Sequence, residues 1–209
     1  IYGLTKVQYS PTSPLGTKNK TTPMGSLDYP FNPVSLALGA EATFVARSID
    51  TDKKHLTDVL RRAAAHPGSA FVEIYQNCNV YNDGAFDTVK EQKENQIVLR
   101  HGEPVRFGEE GERGVIQRPN GSMELVEVAE VGEDALVVHD EHLEESSLAY
   151  SLSRLSHTPH GPTPLGVFRD VERPVYDALM AEQIETTRRE QGEGELGKLL
   201  HAGDTWAIT

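Results

Sequence analysis

The chain has 209 residues, of which 37% are hydrophobic and 25% are charged, and this size and composition predict one soluble domain, with or without appendages, that buries a sizeable core. The formal net charge of −12 disfavours binding to nucleic acid or to an anionic membrane surface, and no apolar run approaches the roughly 18 residues of a membrane-spanning helix. The single cysteine, Cys78, excludes an internal disulfide and is typical of a reducing cytoplasm, although one thiol can still ligate a metal if other chain segments supply partners.

The first part of the chain predicts a long loop followed by a short helix. Ile1-Tyr2 is typical of the end of a buried strand, so we expect the sequence to begin in mid-domain. Residues 5–33 are rich in Ser, Thr, Pro, Gly and Asn and have no apolar period, which predicts an extended loop. Asn32-Pro33 then resembles a capped helix start, and this helix should end near Gly39.

A strand, a helix and a second strand follow. Residues 42–49 and 70–75 are rich in β-branched and aromatic side chains, whereas apolar residues between them recur at helical spacing up to His66-Pro67-Gly68. This βαβ pattern predicts parallel pairing with a right-handed crossover. Cys78 lies just past the second strand, at the sheet edge where ligands of open parallel sheets gather.

Beyond Asn95 the pattern predicts short antiparallel strands and then helices. The candidate strands are residues 96–99, 113–116, 123–128 and 135–139. Asn120-Gly121 is a strong hairpin signal between the second and third of them. A short helix that starts from Glu144 and contains residues 146–155 is expected, followed by a proline-rich turn at 158–164, a longer helix at about 174–190, and a weakly ordered tail after Gln191.

Two segments carry residues suited to chemistry. The chain opens on Ile1-Tyr2-Gly3-Leu4-Thr5-Lys6-Val7-Gln8, and its cysteine stands in Gln76-Asn77-Cys78-Asn79-Val80-Tyr81-Asn82-Asp83, with Met24-Gly25-Ser26-Leu27-Asp28 between them. In this order the segments resemble those of the β subunit of 2-oxoacid:ferredoxin oxidoreductases, and the match is closest to the 2-oxoglutarate branch. Residues 153–155 and 166–170 are similar to the C-terminal region of that family, whereas residues 96–131 are the most distinctive part.

The resemblance implies an α/β fold in which the C-terminal part of a thiamine-diphosphate-binding parallel-sheet domain is followed by a small antiparallel β and helical extension. Residues 1–94, including the iron-sulfur ligand loop, would form the first part and residues 95–209 the extension. It also implies a cytoplasmic enzyme that oxidatively decarboxylates 2-oxoglutarate with coenzyme A, giving succinyl-CoA and CO2. Electrons would pass through a 4Fe-4S cluster to ferredoxin, and an α subunit would complete the thiamine site.

The resemblance assigns cofactor roles to the opening segment. Thiamine diphosphate supplies a thiazolium that delocalises the carbanion left by decarboxylation, and Mg2+ anchors its diphosphate through oxygen ligands. The backbone carbonyl of Ile1 would be one of these ligands, and the others lie outside this sequence. Cofactor contacts are expected from Ile1, Tyr2, Gly3, Thr5 and Gln8. The family usually has glycine at the position of Val7, so either that position is not left-handed or this loop differs.

Leu4 and Lys6 are the residues that the resemblance places at the substrate. The Lys6 ammonium could pair with the distal carboxylate of 2-oxoglutarate, and Leu4 would border the reacting centre. Pyruvate-type relatives typically have asparagine at the Leu4 position, so apolar Leu4 beside cationic Lys6 favours a dicarboxylic 2-oxoacid.

Cys78 is expected to be the fourth thiolate ligand of a 4Fe-4S cluster. In the resembling family the other three thiolates come from the N-terminal half, so this chain by itself should hold no stable cluster. From residue types alone, a lone cysteine after a strand is ordinarily a small buried hydrophobic residue, and it is the surrounding sequence that favours the ligand.

The histidines invite a zinc interpretation that the sequence does not favour. His139-Asp140-Glu141-His142 and the residues 157–160 offer imidazole and carboxylate ligands. The two histidines of each segment do not have helical i, i+4 spacing, and no second cysteine joins them. Solvated histidines are therefore favoured. His55 and His66 flank a predicted helix and are interpreted as surface or capping residues.

Three alternatives remain open. The same catalyst could act on pyruvate or a branched-chain 2-oxoacid, and Lys6 would distinguish these substrates. A non-catalytic electron-transfer module would keep Cys78 without binding thiamine. A structural interaction domain would bind neither cofactor.

Overall fold

The computed structural model describes residues 8–79, 83–157, 161–204, 206 and 208. Its compact units are Ile1–Glu172 and Arg173–Thr209. The boundary predicted between residues 94 and 95 separates two regions of the family, the thiamine-binding part and the extension. It is not a boundary between compact units, and it stays a prediction.

The first unit begins its regular structure with the predicted helix and βαβ unit. Helix α1 (Pro33–Gly39) starts where the side chain of Asn32 accepts a hydrogen bond from the Ser35 N–H, which satisfies one of the donors exposed at a helix start. Strand β1 (Phe44–Ile49), helix α2 (Lys53–Ala65) and strand β2 (Ala70–Tyr75) follow. The two strands pair in parallel, from Phe44 opposite Ala70 to Ile49 opposite Tyr75, so this prediction is confirmed.

A strand that the sequence analysis missed stands at the centre of this sheet. Strand β7 (Thr163–Asp170) runs antiparallel to β1 and parallel to β3 (Gln96–Val98), giving the order β2-β1-β7-β3 among the described strands. The prediction of an antiparallel partner for residues 96–99 is therefore wrong. Seven of the eight β7 residues are buried, so β7 lacks the alternation that marks a half-buried strand, and its partners are distant in sequence.

The second described sheet is antiparallel, with the order β4 (Arg106–Phe107), β5 (Arg113–Gln117) and β6 (Met123–Glu127). The predicted hairpin is confirmed, because the Gly121 N–H donates to the Arg118 carbonyl and the Arg118 N–H to the Ser122 carbonyl. Residues 135–139 do not form the predicted strand. They follow a 3₁₀ turn at Glu133–Ala135 and make a single bridge between Val138 and Pro104.

Where the structure describes the chain, three short helices complete the first unit, and the second unit contains one long and one short helix. They are α3 (Asp87–Glu91), α4 (Val128–Val131), α5 (Ser147–Ser153), α6 (Tyr176–Gln191) and α7 (Leu196–Leu200). Helix α7 lies in the tail that was expected to be weakly ordered. Among the described residues of α6 and α7, none is buried. Across the described part of the chain, no helix combines the length and the apolar character needed to cross a membrane.

The main core joins the two sheets through helices α1 and α5. Its fully buried side chains come from separate elements and include Leu38, Val45, Ile97, Val115 and Phe168. Burying such side chains stabilises each by about 1.5–3 kcal/mol relative to leaving them exposed. This core holds β1 and β7, and therefore the carboxyl edge of β1, in a fixed position.

Gly166 in β7 is expected to tolerate no side chain. Its φ is +128°, and a Cβ there would lie 2.8 Å from the Leu99 carbonyl oxygen. Backbone strain and overpacking together predict that Gly166→Ala lowers the free energy of unfolding by about 3 kcal/mol, measured by urea unfolding. Gly39→Ala is the matched control, because nothing lies within 4 Å of its added Cβ. Similar losses in the two variants would contradict this account.

His139 corrects the expectation of a solvated histidine. Its side chain is 1% exposed, and its Nε2 lies 2.8 Å from the carbonyl oxygen of Val167, to which it donates. Burial lowers the pKa of His139 below its ordinary value, and the hydrogen bond and the charges of Glu141 and Asp140 only partly oppose this. The described structure therefore favours a neutral imidazole at this position.

A pH dependence of stability follows from His139. Because its pKa is lower in the folded than in the unfolded state, the unfolded chain takes up the proton first as the pH falls. The contribution is fully present above the unfolded pKa of 6.5 and is lost as the pH falls towards the folded value. We expect His139→Gln to flatten the decline of the urea midpoint between about pH 7.5 and about pH 5.5. An unchanged decline would assign it to other groups.

Candidate functional site

The predicted site residues divide between described and undescribed parts of the chain. Ile1, Tyr2, Gly3, Leu4, Thr5 and Lys6 lie outside the described residues, so their roles stay predictions. Gln8 is described and exposed at the start of the loop. Cys78 is half-buried and forms no disulfide.

The loop after Gln8 lacks regular helix and strand, as predicted, but it is folded back rather than extended. The Phe31 N–H donates to the Pro11 carbonyl at 2.7 Å, which brings the two ends of the loop together. Within it, Gly16 and Ser26 are joined by a backbone hydrogen bond of 3.0 Å. Gly25 has a φ of +100°, and a Cβ there would lie 2.9 Å from the Gly16 carbonyl oxygen, so this close approach requires glycine.

Hydrogen bonds also fix the base of the loop to the core. Asn32, which caps α1, donates from its side chain to the Ser153 carbonyl at 3.0 Å. The hydroxyls of Ser35 and Ser153 lie 2.8 Å apart, and both residues are buried. Near the start of the loop, Tyr9 donates to the carboxylate of Asp28, and this hydrogen bond raises the Tyr9 pKa. The segment that follows residues 1–7 is therefore held in place at both ends.

The carboxyl ends of β1 and β2 meet at one sheet edge. The Asp50 N–H donates to the Tyr75 carbonyl at 3.0 Å. Lys90, which belongs to α3, places its Nζ 2.6 Å from Asp50 Oδ1 and is largely buried. This ion pair ties the segment after Cys78 to the end of β1, because α3 follows that segment along the chain.

Near Cys78, described residues on either side of 80–82 contact one another at the end of β2. The Asn77 amide donates to Asp83 Oδ1 at 2.8 Å, and its oxygen accepts the Gly84 N–H at 3.0 Å. The rings of Tyr75 and Phe86 stack with centroids 4.4 Å apart. The thiol is thus carried on a loop closed by one asparagine and anchored by one aromatic pair.

The Cys78 environment fits one ligand of an iron-sulfur cluster. A thiolate is the usual ligand of such clusters, and four are needed for a four-iron cluster. Cys78 is free, half-buried and located at the carboxyl edge of parallel strands. Since the sequence contains one cysteine, the remaining thiolate ligands of any cluster here must come from outside these 209 residues.

A buried arginine that the sequence did not predict, Arg47, contacts the Tyr75 ring at this sheet edge. It is 1% exposed, and its Nε lies 2.6 Å from Glu73 Oε2, its register partner on β2. Its guanidinium carbon lies 5.2 Å from the centroid of the Tyr75 ring, so it supports the ring that anchors the Cys78 loop. The sequence did contain a signal for this contact, namely an arginine within the apolar run of β1 and an acidic residue in β2.

Comparison with known proteins connects this fold to one enzyme family. Residues 1–74 match the family described as thiamine pyrophosphate enzyme, C-terminal TPP binding domain. The 2-oxoglutarate oxidoreductase subunit KorB of Mycobacterium tuberculosis is 50% identical over 100% of this chain and 57% of its own length. The 2-oxoacid:ferredoxin oxidoreductase subunit beta of Saccharolobus solfataricus is 43% identical over 40% of this chain and 27% of its own.

A solved structure agrees over nearly the whole chain. It is the 2-oxoglutarate:ferredoxin oxidoreductase from Magnetococcus marinus with 2-oxoglutarate, coenzyme A and succinyl-CoA bound, with a TM-score of 0.65 and 25% identity. The match covers 98% of this chain and 55% of that one. This chain therefore spans little more than half the length of the two relatives that match it over at least 98% of its length. The α/β fold and the full-length similarity lead to one conclusion: the chain belongs to the family of 2-oxoacid:ferredoxin oxidoreductase β subunits.

Proposed function

We propose that this chain is the C-terminal part of the β subunit of a thiamine-diphosphate-dependent 2-oxoglutarate:ferredoxin oxidoreductase. The observation that carries the proposal is the 50% identity, over the whole chain, to a subunit named for 2-oxoglutarate oxidation. The similarity to a structure with 2-oxoglutarate, coenzyme A and succinyl-CoA bound supports the same substrates. In the proposed reaction 2-oxoglutarate loses CO2, coenzyme A takes the succinyl group as a thioester, and two electrons leave singly for ferredoxin.

Thiamine diphosphate is the proposed organic cofactor, and it supplies the electron sink for decarboxylation. Support comes from the match of residues 1–74 to a thiamine pyrophosphate binding domain. Within this chain, Ile1, Tyr2, Gly3, Thr5 and Gln8 are proposed to contact the cofactor or its Mg2+, the Ile1 carbonyl as a metal ligand. Exposed Gln8 and the fixed loop behind it are consistent with a binding segment held at its base.

Cys78 is proposed to hold one iron of a 4Fe-4S cluster that relays electrons to ferredoxin. Support comes from its free, half-buried thiol and from the closed loop that carries it. The residues on either side of this loop are held by the stacked rings of Tyr75 and Phe86 and by Arg47 over the Tyr75 ring, which favours a ligand kept in one position.

Lys6 and Leu4 are proposed to select a dicarboxylic 2-oxoacid. A cation in a partly closed pocket favours the distal carboxylate of 2-oxoglutarate over the methyl group of pyruvate, whereas Leu4 packs beside the reacting carbon. The alternative substrate within the same class is pyruvate or a branched-chain 2-oxoacid, for which Lys6 would find no partner.

An α subunit is the proposed partner that completes the thiamine site, in the cytoplasm. The loop offers a surface suited to such a partner, since Met24, Leu27 and Tyr29 are 90%, 89% and 79% exposed. These three exposed apolar side chains are the proposed contacts for that partner.

The test uses the full complex purified without oxygen. Bound thiamine, iron and labile sulfide are measured beside the reduction of a viologen dye by 2-oxoglutarate, with and without coenzyme A. Coenzyme-dependent turnover with all three components present would support the proposal. Iron and sulfide without thiamine or turnover would replace it with an electron-transfer module, and the absence of all three would leave only a structural role.

A further inference from the structure

The fold brings together three potential metal ligands, the adjacent Glu141 and His142 and the sequence-distant His101. His101 lies in the turn after β3, and Glu141 and His142 lie in the turn that follows the Val138 bridge. Each of the three offers a ligand atom, and these atoms all lie within 4.8 Å of one another. The rings of His101 and His142 are adjacent, with centroids 4.7 Å apart. All three residues belong to the first unit.

The ring of His142 is oriented so that one nitrogen is available to a metal. Its Nδ1 lies 2.7 Å from the carbonyl oxygen of Asp170. A carbonyl only accepts hydrogen bonds, so Nδ1 carries the proton and Nε2 keeps its lone pair in the neutral ring. Metal-binding histidines are typically held in this way, with the second nitrogen donating to a carbonyl or carboxylate. Nε2 of His142 lies 3.5 Å from Glu141 Oε1.

Glu141 is held in place by Arg62. The carboxylate is 10% exposed, and the two guanidinium nitrogens lie 2.9 and 3.1 Å from its oxygens. Each carboxylate oxygen has a further lone pair, so this contact orients the group and leaves a coordinating position. A ligating carboxylate that is itself hydrogen-bonded is the usual arrangement around protein metals.

The local charge is suited to a divalent cation. Arg62 also pairs with Asp170 at 2.8 Å, and Asp140 Oδ1 lies 3.3 Å from His101 Nδ1. The carboxylates of Asp140, Glu141 and Asp170 outnumber the Arg62 guanidinium, which leaves a net charge of about −2 when the histidines are neutral. The single cation in this group is thus already compensated.

We propose that His101, Glu141 and His142 bind one divalent transition-metal ion of the zinc type, with water completing the coordination. Imidazole nitrogen and carboxylate oxygen are preferred zinc ligands. In a tetrahedral site with bonds of about 2.0–2.2 Å, ligand atoms lie roughly 3.3–3.6 Å apart. The His101 side chain is 48% exposed, so it is free to move inward by the remaining ~1 Å.

The ion would act as a structural link between segments that are far apart in the chain. His101 connects β3 to β4, while His142 is bonded to the last residue of β7. An ion bound to both would join the turn between the two sheets to the central strand of the first sheet. Because binding to the folded state alone stabilises it, the expected consequence is stability and not a step in the reaction.

The test compares zinc binding by the intact complex and by histidine variants. Chelator-treated protein is equilibrated with zinc chloride, and bound zinc and the thermal midpoint are measured. His101→Ala removes a half-exposed side chain and leaves the bond between His142 and Asp170 in place, whereas His142→Ala removes the oriented ligand. His201→Ala is the matched control, because this exposed histidine also has its Nδ1 2.7 Å from a backbone carbonyl, that of Gly197.

The wild type and His201→Ala should bind one more zinc ion per β subunit than either ligand variant, or bind it at least about 10-fold more tightly. Zinc should raise the thermal midpoint of the same two proteins only. Equal zinc binding by the wild type and by both ligand variants would place any zinc elsewhere and overturn the proposal. A wild type that binds no zinc would also overturn it.

Discussion

Replacing Lys6 by alanine is expected to lower kcat/KM for 2-oxoglutarate by about 10- to 100-fold, because hydrogen bonds to charged groups contribute about 1.5–3 kcal/mol. The same change should alter kcat/KM for pyruvate little, since a methyl group offers no partner to the ammonium. Most of the loss should appear in KM, because the distal carboxylate does not react and is bound equally in ground and transition states. Dye-linked turnover of both 2-oxoacids by the complete complex measures this discrimination.

Lys20→Ala is the matched control for Lys6. Lys20 belongs to the same polar segment, is exposed, and has no role assigned by the family resemblance. It should leave both substrates within about twofold of the wild type, as expected of a surface substitution. Equal losses on the two substrates in Lys6→Ala would remove the case for Lys6 as the substrate-selecting residue. The thiamine and cluster assignments would be unaffected.

Replacing Cys78 by alanine is expected to abolish 2-oxoglutarate-dependent dye reduction and to remove iron and sulfide from the complex. A cluster that loses one of four thiolates is left with an open iron and decays, particularly in contact with water. Thiamine content should stay close to that of the wild type, because Cys78 has no role in the thiamine contacts proposed for the opening segment. Iron, sulfide and thiamine assays on the same sample separate these effects.

Asn79→Ala tests whether the loop tolerates a neighbouring change. Asn79 is exposed and adjacent to Cys78, so its truncation should leave the iron content unchanged. Asn77→Ala should have an intermediate effect, because it removes the two hydrogen bonds that close the loop and leaves the thiol in place. A full complement of iron and sulfide in Cys78→Ala would show that the cluster is held elsewhere.

Elements with local signals were predictable. The cap at Asn32, the hairpin at Asn120-Gly121 and the parallel pairing of β1 with β2 all follow from short-range residue preferences or from connection length. Strand β7 was missed for the opposite reason. It is buried on both faces and pairs with strands that precede it by more than sixty residues, so neither its period nor its neighbours identified it.

The candidate sites show the same division. Cys78 was recognisable from the residues around it, and its position after β2 followed from the βαβ pattern. The contact between Arg47 and the Tyr75 ring could not be recognised from the sequence, because it depends on strand register and ring placement. The histidines illustrate the limit best: His139 and His142 were grouped by sequence, whereas the structure buries His139 and places His101 beside His142.

The sequence by itself determined the family, the elements with short-range signals and the candidate residues for chemistry, because motifs and short-range preferences are written in neighbouring positions. Only the tertiary structure decided that β7 completes the first sheet, that Arg47 lies over the Tyr75 ring, and that His101 meets Glu141 and His142. These contacts join residues far apart along the chain. They are chosen by the burial of apolar faces and the pairing of buried charges, which depend on the whole fold and not on any one segment.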